Sequence, residues 1–152
     1  MSEHFGAWQV GNDPNQGAVE FKLFFPDRSK DSSQYEDKGG TYGDPQIASI
    51  QVVGDFQAKL GQPAWDIGQA PKMQKVAHPK GWVWTYRTPI DLPAGFYEYK
   101  YYVTFNSGET RYVGDPCTRY GGSVNQNSAF VIGGSSPADN QIKPLKHGRK
   151  HL

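Results

Sequence analysis

The chain has 152 residues with a formal net charge of +1; 14% of them are aromatic and 20% are charged. That length fits one domain of ordinary size, able to bury a core without a metal or a disulfide. The 18 glycines and 11 prolines imply many turns, so the mixture reads as all-β rather than helical or disordered.

The net charge hides an asymmetry. Lys143, Lys146, Arg149 and Lys150 lie beyond the last acid, Asp139, and without them 12 basic residues face 15 acidic ones. A body at −3 carries no basic footprint for nucleic acid, and the tail reads as a solvated linker. Cys117 is the only cysteine, so no intrachain disulfide is possible. That favours a reducing compartment, and a cytoplasmic protein is expected. The opening "MSEHFGAWQVGNDPN" has no apolar run and no basic start, so no signal peptide is expected. No stretch approaches the ~20 apolar residues of a membrane span, and no membrane partner is expected.

Residues 1–17 read as an N-terminal extension. In "AVEFKLFF", 18–25, Val19, Phe21, Leu23 and Phe25 share one face, with Glu20 and Lys22 on the other. That alternation predicts a half-buried strand. The polar stretch 27–45 reads as a long surface loop. "IASIQVVGDF", 47–56, predicts a second strand with Ala48, Ile50 and Val52 on one side. "KMQKV" reads as a short strand, and "GWVWTYR" places Trp82, Trp84 and Tyr86 at period two. In 96–105, Tyr97, Tyr99, Tyr101, Val103 and Phe105 point one way, and Glu98, Lys100, Tyr102 and Thr104 the other. "TRYVGDP" runs back, and "NSAFVIGG" is the last strand. About seven short strands between turn signals predict an antiparallel β-sandwich over 18–133, followed by a linker over 134–152.

The Tyr97, Tyr99, Tyr101 row is the expected core face. Lys100, on the opposite face, has two readings: an exposed lysine that discourages edge pairing, or a ligand contact. Asp55 and Asp115 read as turn residues making local hydrogen bonds. Cys117 has no evident base partner and reads as structural. The four histidines show no metal-ligand spacing, so no metal and no cofactor are expected.

Four pieces occur in order: "VVGDF" with "AWD" after a gap, "GWVWTY…LPAGFYEYKYYV", "RYVGDP" and "NSAFVI". Together they resemble carbohydrate-binding module family 48. This is the early-set, immunoglobulin-like domain at the N-terminus of glycoside-hydrolase family 13 enzymes such as α-amylases, isoamylases and branching enzymes. The resemblance implies an immunoglobulin-like antiparallel sandwich and a face for α-1,4-glucan, as in starch or glycogen. Carried over by motif, Trp65 and Tyr112 would stack on glucose rings, and Lys100 and Asn127 would bond sugar hydroxyls. An aromatic plane suits the apolar face of a pyranose, and charged or amide groups suit its hydroxyls.

Two features depart from the family pattern. Eight residues, "QAKLGQPA", separate Phe56 from Trp65, and Tyr112 stands where a tryptophan is frequent. A packing module that binds no sugar therefore stays open, as does a freestanding glycogen-sensing regulatory subunit. The resemblance also implies a C-terminal (β/α)₈ catalytic domain beyond a joint like "IKPLKHGRKHL". A barrel takes ~250 residues, so this chain is expected to have no catalytic residue of its own.

Overall fold

The computed structural model describes residues 4–26, 46–123 and 126–133. The expected surface loop 27–45 and the expected linker 134–152 lie outside the described residues. Eleven strands are present among the described residues: β1 (Gly6–Gln9), β2 (Gln16–Gly17), β3 (Val19–Pro26), β4 (Ile47–Gly54), β5 (Gln74–His78), β6 (Gly81–Arg87), β7 (Leu92–Pro93), β8 (Gly95–Phe105), β9 (Thr110–Val113), β10 (Tyr120–Gly121) and β11 (Ser128–Ile132). The helical element among them is a 3₁₀ stretch, Asp55–Leu60.

One sheet has the order β1-β3-β6-β5. A second has the order β10-β11-β8-β4, with β9 also paired to β8, and β2 pairs with β7. All pairings are antiparallel. The protein is therefore all-β with antiparallel sheets, as the alternating pattern requires.

Period-two alternation sends one set of side chains from each sheet into a shared core. From β3 these are Val19, Phe21, Leu23 and Phe25, and from β8 they are Tyr97, Tyr99, Tyr101 and Val103, all buried. The Phe21 ring meets Tyr99 edge-on at 5.2 Å and Phe130 edge-on at 5.5 Å, so the two sheets touch through aromatic rings. Burying each such side chain is worth roughly 1.5–3 kcal/mol.

Several details differ from the expected elements. Ala48 was expected beside Ile50 and Val52 but is exposed. The register shifts between Ile47 and Ser49, and this bulge turns Ile47 rather than Ala48 inward. β4 ends at Gly54, where the chain enters the 3₁₀ stretch, two residues before the expected end. The N-terminal extension supplies β1, paired with β3, and β2, paired with β7.

Asp115 does more than the expected turn bond. Its Oδ1 accepts from the Cys117 backbone N–H at 2.9 Å, the local bond foreseen. Its Oδ2 accepts from the hydroxyls of Tyr99, at 2.5 Å, and Tyr101, at 3.0 Å, inside the core. Asp115 is 4% exposed. Burial raises its carboxyl above the ordinary value of 3.8, and the tyrosine bonds oppose that rise. Burial and the Asp115 charge in turn push both tyrosine hydroxyls well above 10.0, so they stay protonated donors.

A carboxyl raised by folding binds its proton more tightly in the folded chain. Asp115 therefore removes stability as pH climbs from the unfolded value through the folded one. Tyr99 acts the other way, because its bond favours the charged carboxylate. Tyr99→Phe is expected to cost about 1.5–3 kcal/mol well above the Asp115 titration. The deficit should shrink as acid protonates Asp115. Urea melts of both proteins across pH check this; an equal deficit at every pH would contradict it.

Candidate glycan-binding face

Lys100 lies on an inner strand. β4 runs along one edge of β8, with Val53 opposite Lys100. On the other edge, β11 pairs as far as Tyr99 and β9 takes over at Tyr101. Lys100 thus sits at the seam between β9 and β11. The edge-guard explanation of this lysine fails, because its strand is covered on both sides. Glu98, Lys100 and Tyr102 share the face opposite the core, and all three are half-buried.

Tyr112 joins them by register. It lies directly opposite Tyr102, and directly opposed residues project to the same face. The two rings meet edge-on, with centroids 4.9 Å apart. Such a pair is worth ~0.5–1.5 kcal/mol beyond its buried area, and it fixes the orientation of the outer ring. Tyr112 is 50% exposed, so a braced aromatic plane faces solvent beside Lys100.

Asn127 is held by Glu98. Its Nδ2 donates to Glu98 Oε1 at 3.1 Å. The same carboxylate accepts from the Ser123 backbone N–H at 2.9 Å and from Ser123 Oγ at 2.7 Å. Asn127 O in turn accepts from the Gly122 N–H at 2.7 Å. A Cβ at Gly122 would collide with Glu98 Oε1 and come within 2.7 Å of Asn127 Cβ, so glycine is required there.

Trp65 reaches the same region although eight residues separate it from Phe56, because that segment closes on itself. The 3₁₀ stretch Asp55–Leu60 ends at Gly61, whose φ of 80° reverses the chain. Buried Gln57 then staples the two ends of the loop. Its Oε1 accepts from the Gly54 N–H at 3.1 Å, and its Nε2 donates to Asp66 O at 2.8 Å. The Trp65 N–H donates to Gly54 O at 3.2 Å, which brings Trp65 back beside the end of β4.

Asp55 completes the link to β8. Its Oδ1 accepts from Trp65 Nε1 at 2.8 Å, and its Oδ2 accepts from the Glu98 backbone N–H at 2.9 Å. Trp65 has φ 63°, a left-handed conformation that costs a non-glycine residue roughly 1–2 kcal/mol. The backbone bond and the bond to the charged Asp55 offset that cost. Gly54 lets β4 approach this closely, since a Cβ there would lie 2.9 Å from Tyr99 Cα.

Lys100, Tyr112 and Asn127 therefore gather around residues 98–102 of β8, and Asp55 ties Trp65 to the same stretch. Asp55 and Glu98 are the organising residues that the sequence reading did not pick out. For Glu98 a signal was present: it precedes Lys100 by two in a strand, so it had to share that face. For Asp55 the expected turn role concealed a bond between residues 43 apart in sequence.

Chemically, the arrangement offers aromatic planes, an amide, a cation and a hydroxyl. Among the described residues, no group of three or more His, Cys, Asp or Glu could hold a metal ion. Compared with protein-family models and with curated proteins, the chain matches none.

Asp55→Ala removes two hydrogen bonds to a charged acceptor. It is expected to cost about 2–4 kcal/mol, with a matching drop in the denaturation midpoint. The Trp65 indole proton should exchange slowly in the native protein and rapidly in the variant. An unchanged exchange rate would show that Asp55 does not hold Trp65.

Proposed function

We propose that the two sheets form an immunoglobulin-like β-sandwich of the early-set kind, serving as a non-catalytic α-glucan-binding accessory domain. The ligand is α-1,4-linked glucan, as in starch or glycogen. The domain accompanies a (β/α)₈ catalytic domain of the α-amylase type in the cytoplasm. The sandwich is supported by the shared aromatic core, in which Phe21 of one sheet meets Tyr99 and Phe130 of the other. The enzyme context is supported by the ordered motifs alone.

One observation carries the binding role. Tyr112, 50% exposed and braced edge-on by Tyr102, stands on the same face as Lys100. A ring held rigid before the ligand arrives loses little freedom on binding. Lys100 shares the face of Tyr112, and Asn127 is held beside it by Glu98, which supports both as donors to the hydroxyls of a stacked sugar. The nearby carboxylates have other work: Asp55 holds Trp65, and Glu98 holds Ser123 and Asn127. Both carboxylates serve to hold the face together, a use that fits a binding role.

A second reading has its own support. The Trp65 indole N–H is committed to Asp55 and the ring is half-buried, so folding alone would account for that tryptophan. On this reading the domain packs against its neighbour and binds no sugar.

Calorimetric titration with maltoheptaose separates the two. Stacked aromatic contacts are worth ~1–3 kcal/mol by analogy with base stacking, so Tyr112→Ala and Trp65→Ala should weaken binding by roughly tenfold to a hundredfold. Tyr112→Ala is the cleaner variant, because its ring lies outside the core. Lys22→Ala, on the other sheet, should bind as the native protein does. Absence of heat at millimolar sugar with native protein would leave the packing module.

A further inference from the structure

A second aromatic ring, that of Tyr120, lies on the same sheet face, two strands from β8. Tyr120 pairs with Ala129, and Ala129 pairs with Glu98. Directly opposed residues in consecutive antiparallel pairs project to one face, so Tyr120, Glu98, Lys100 and Tyr112 all look the same way. Strand spacing sets Tyr120 about 10 Å across the sheet from β8. Directly between Tyr120 and Glu98 lies buried Ala129, and Glu98 holds Asn127 and Ser123, which bring an amide and a hydroxyl to this part of the face.

Arg119 gives this group its chemistry. Its guanidinium lies 3.8 Å from the centroid of the Trp8 ring and 5.3 Å from that of Tyr120. The indole is itself fixed, with Trp8 Nε1 donating to Phe5 O at 2.9 Å. The backbone is fixed too. Thr118, 8% exposed, donates from its hydroxyl to Tyr120 O at 2.7 Å and accepts from the Ala129 N–H at 3.1 Å. No carboxylate, carbonyl or hydroxyl among the described residues accepts from the Arg119 guanidinium. A planar fork of donors is thus held flat by aromatic contacts, with its hydrogen-bonding edge uncommitted. Stacking on Trp8 explains where the arginine lies, but it uses the face of the guanidinium and not its N–H edge.

We propose that Tyr120 and Arg119 form a second subsite for the same glucan, so that the ligand is an extended oligosaccharide running along the outer face of β8 from Tyr112, level with Tyr102, to Tyr120, level with Glu98. Tyr120 supplies a ring for a sugar's apolar face, and Arg119 donates to its hydroxyl oxygens. Trp8 contacts the arginine rather than the sugar. This inference rests on the glucan-binding reading above and adds chain length to it: a short oligosaccharide fills the Lys100–Tyr112 end alone, and a longer one reaches both.

The test compares maltotriose with maltoheptaose by calorimetry on the native chain, Tyr120→Ala, Tyr120→Phe and Arg119→Lys. Native protein should bind the heptaose about tenfold more tightly than the triose, the size of one added stacking contact. Tyr120→Ala should bring heptaose affinity down to the triose level and leave the triose unchanged. Tyr120→Phe, which keeps the ring, should restore the difference. Arg119→Lys, which keeps charge but loses the fork, should reduce it in part. Equal affinity of native protein for both sugars would overturn the second subsite and leave the first standing. So would a Tyr120→Ala variant that loses both sugars alike or neither. Failure of native protein to bind either sugar would overturn both.

Discussion

β8 is hydrogen-bonded along both edges, to β4 on one side and to β11 and then β9 on the other. With both edges occupied, its side chains have only two directions available, and adjacent residues must take opposite ones. Tyr97, Tyr99, Tyr101 and Val103 therefore fill the core, and Glu98, Lys100 and Tyr102 are delivered to the opposite face at fixed spacing. A one-residue slip of this strand would exchange the two sets at once. The buried tyrosine hydroxyls oppose such a slip, because only this register brings Tyr99 and Tyr101 to Asp115.

The same strand shows how the fold supports a polar surface feature with buried chemistry. Gly54 allows β4 to close on β8, and Asp55 follows at once to accept from the Glu98 N–H. The Asp55 carboxylate then has one oxygen left for the Trp65 indole. The position of that tryptophan thus follows from backbone contact between two core strands. The eight residues between Phe56 and Trp65 still bring Trp65 back beside β4, since Gln57 and the Trp65 N–H close the loop at its base. Closing a loop of this length costs little more entropy than closing a shorter one.

Alternation in 18–25 and 96–105 was enough to find β3, β8 and their core faces, because nothing interrupts the period there. It misplaced Ala48, because a bulge adds one residue to a strand without leaving a mark in composition. It missed β2, β7 and β10, each two residues long and defined by partners rather than by pattern. β1 was missed because its four residues carry a single large aromatic, Trp8, which packs against Arg119 outside the core cluster. At the candidate face, Lys100, Tyr112, Trp65 and Asn127 could be named from motif residues. Their supports could not: Glu98–Asn127 and Asp55–Glu98 are contacts between residues 29 and 43 apart. Such pairings have no local signature, because they exist only once the sheet has formed.

The proposed role depends on the solvent face of β8 being a sugar-binding surface. Backbone and side-chain NMR shifts followed during titration with β-cyclodextrin test it most directly, because they report place as well as strength. Sugar binding on this face requires a contiguous set of saturable shifts at Lys100, Tyr102, Tyr112, Asn127 and the Trp65 indole, with Lys22 and Thr85 on the other sheet unmoved. Shifts confined to the other sheet, or none at millimolar ligand, would contradict it.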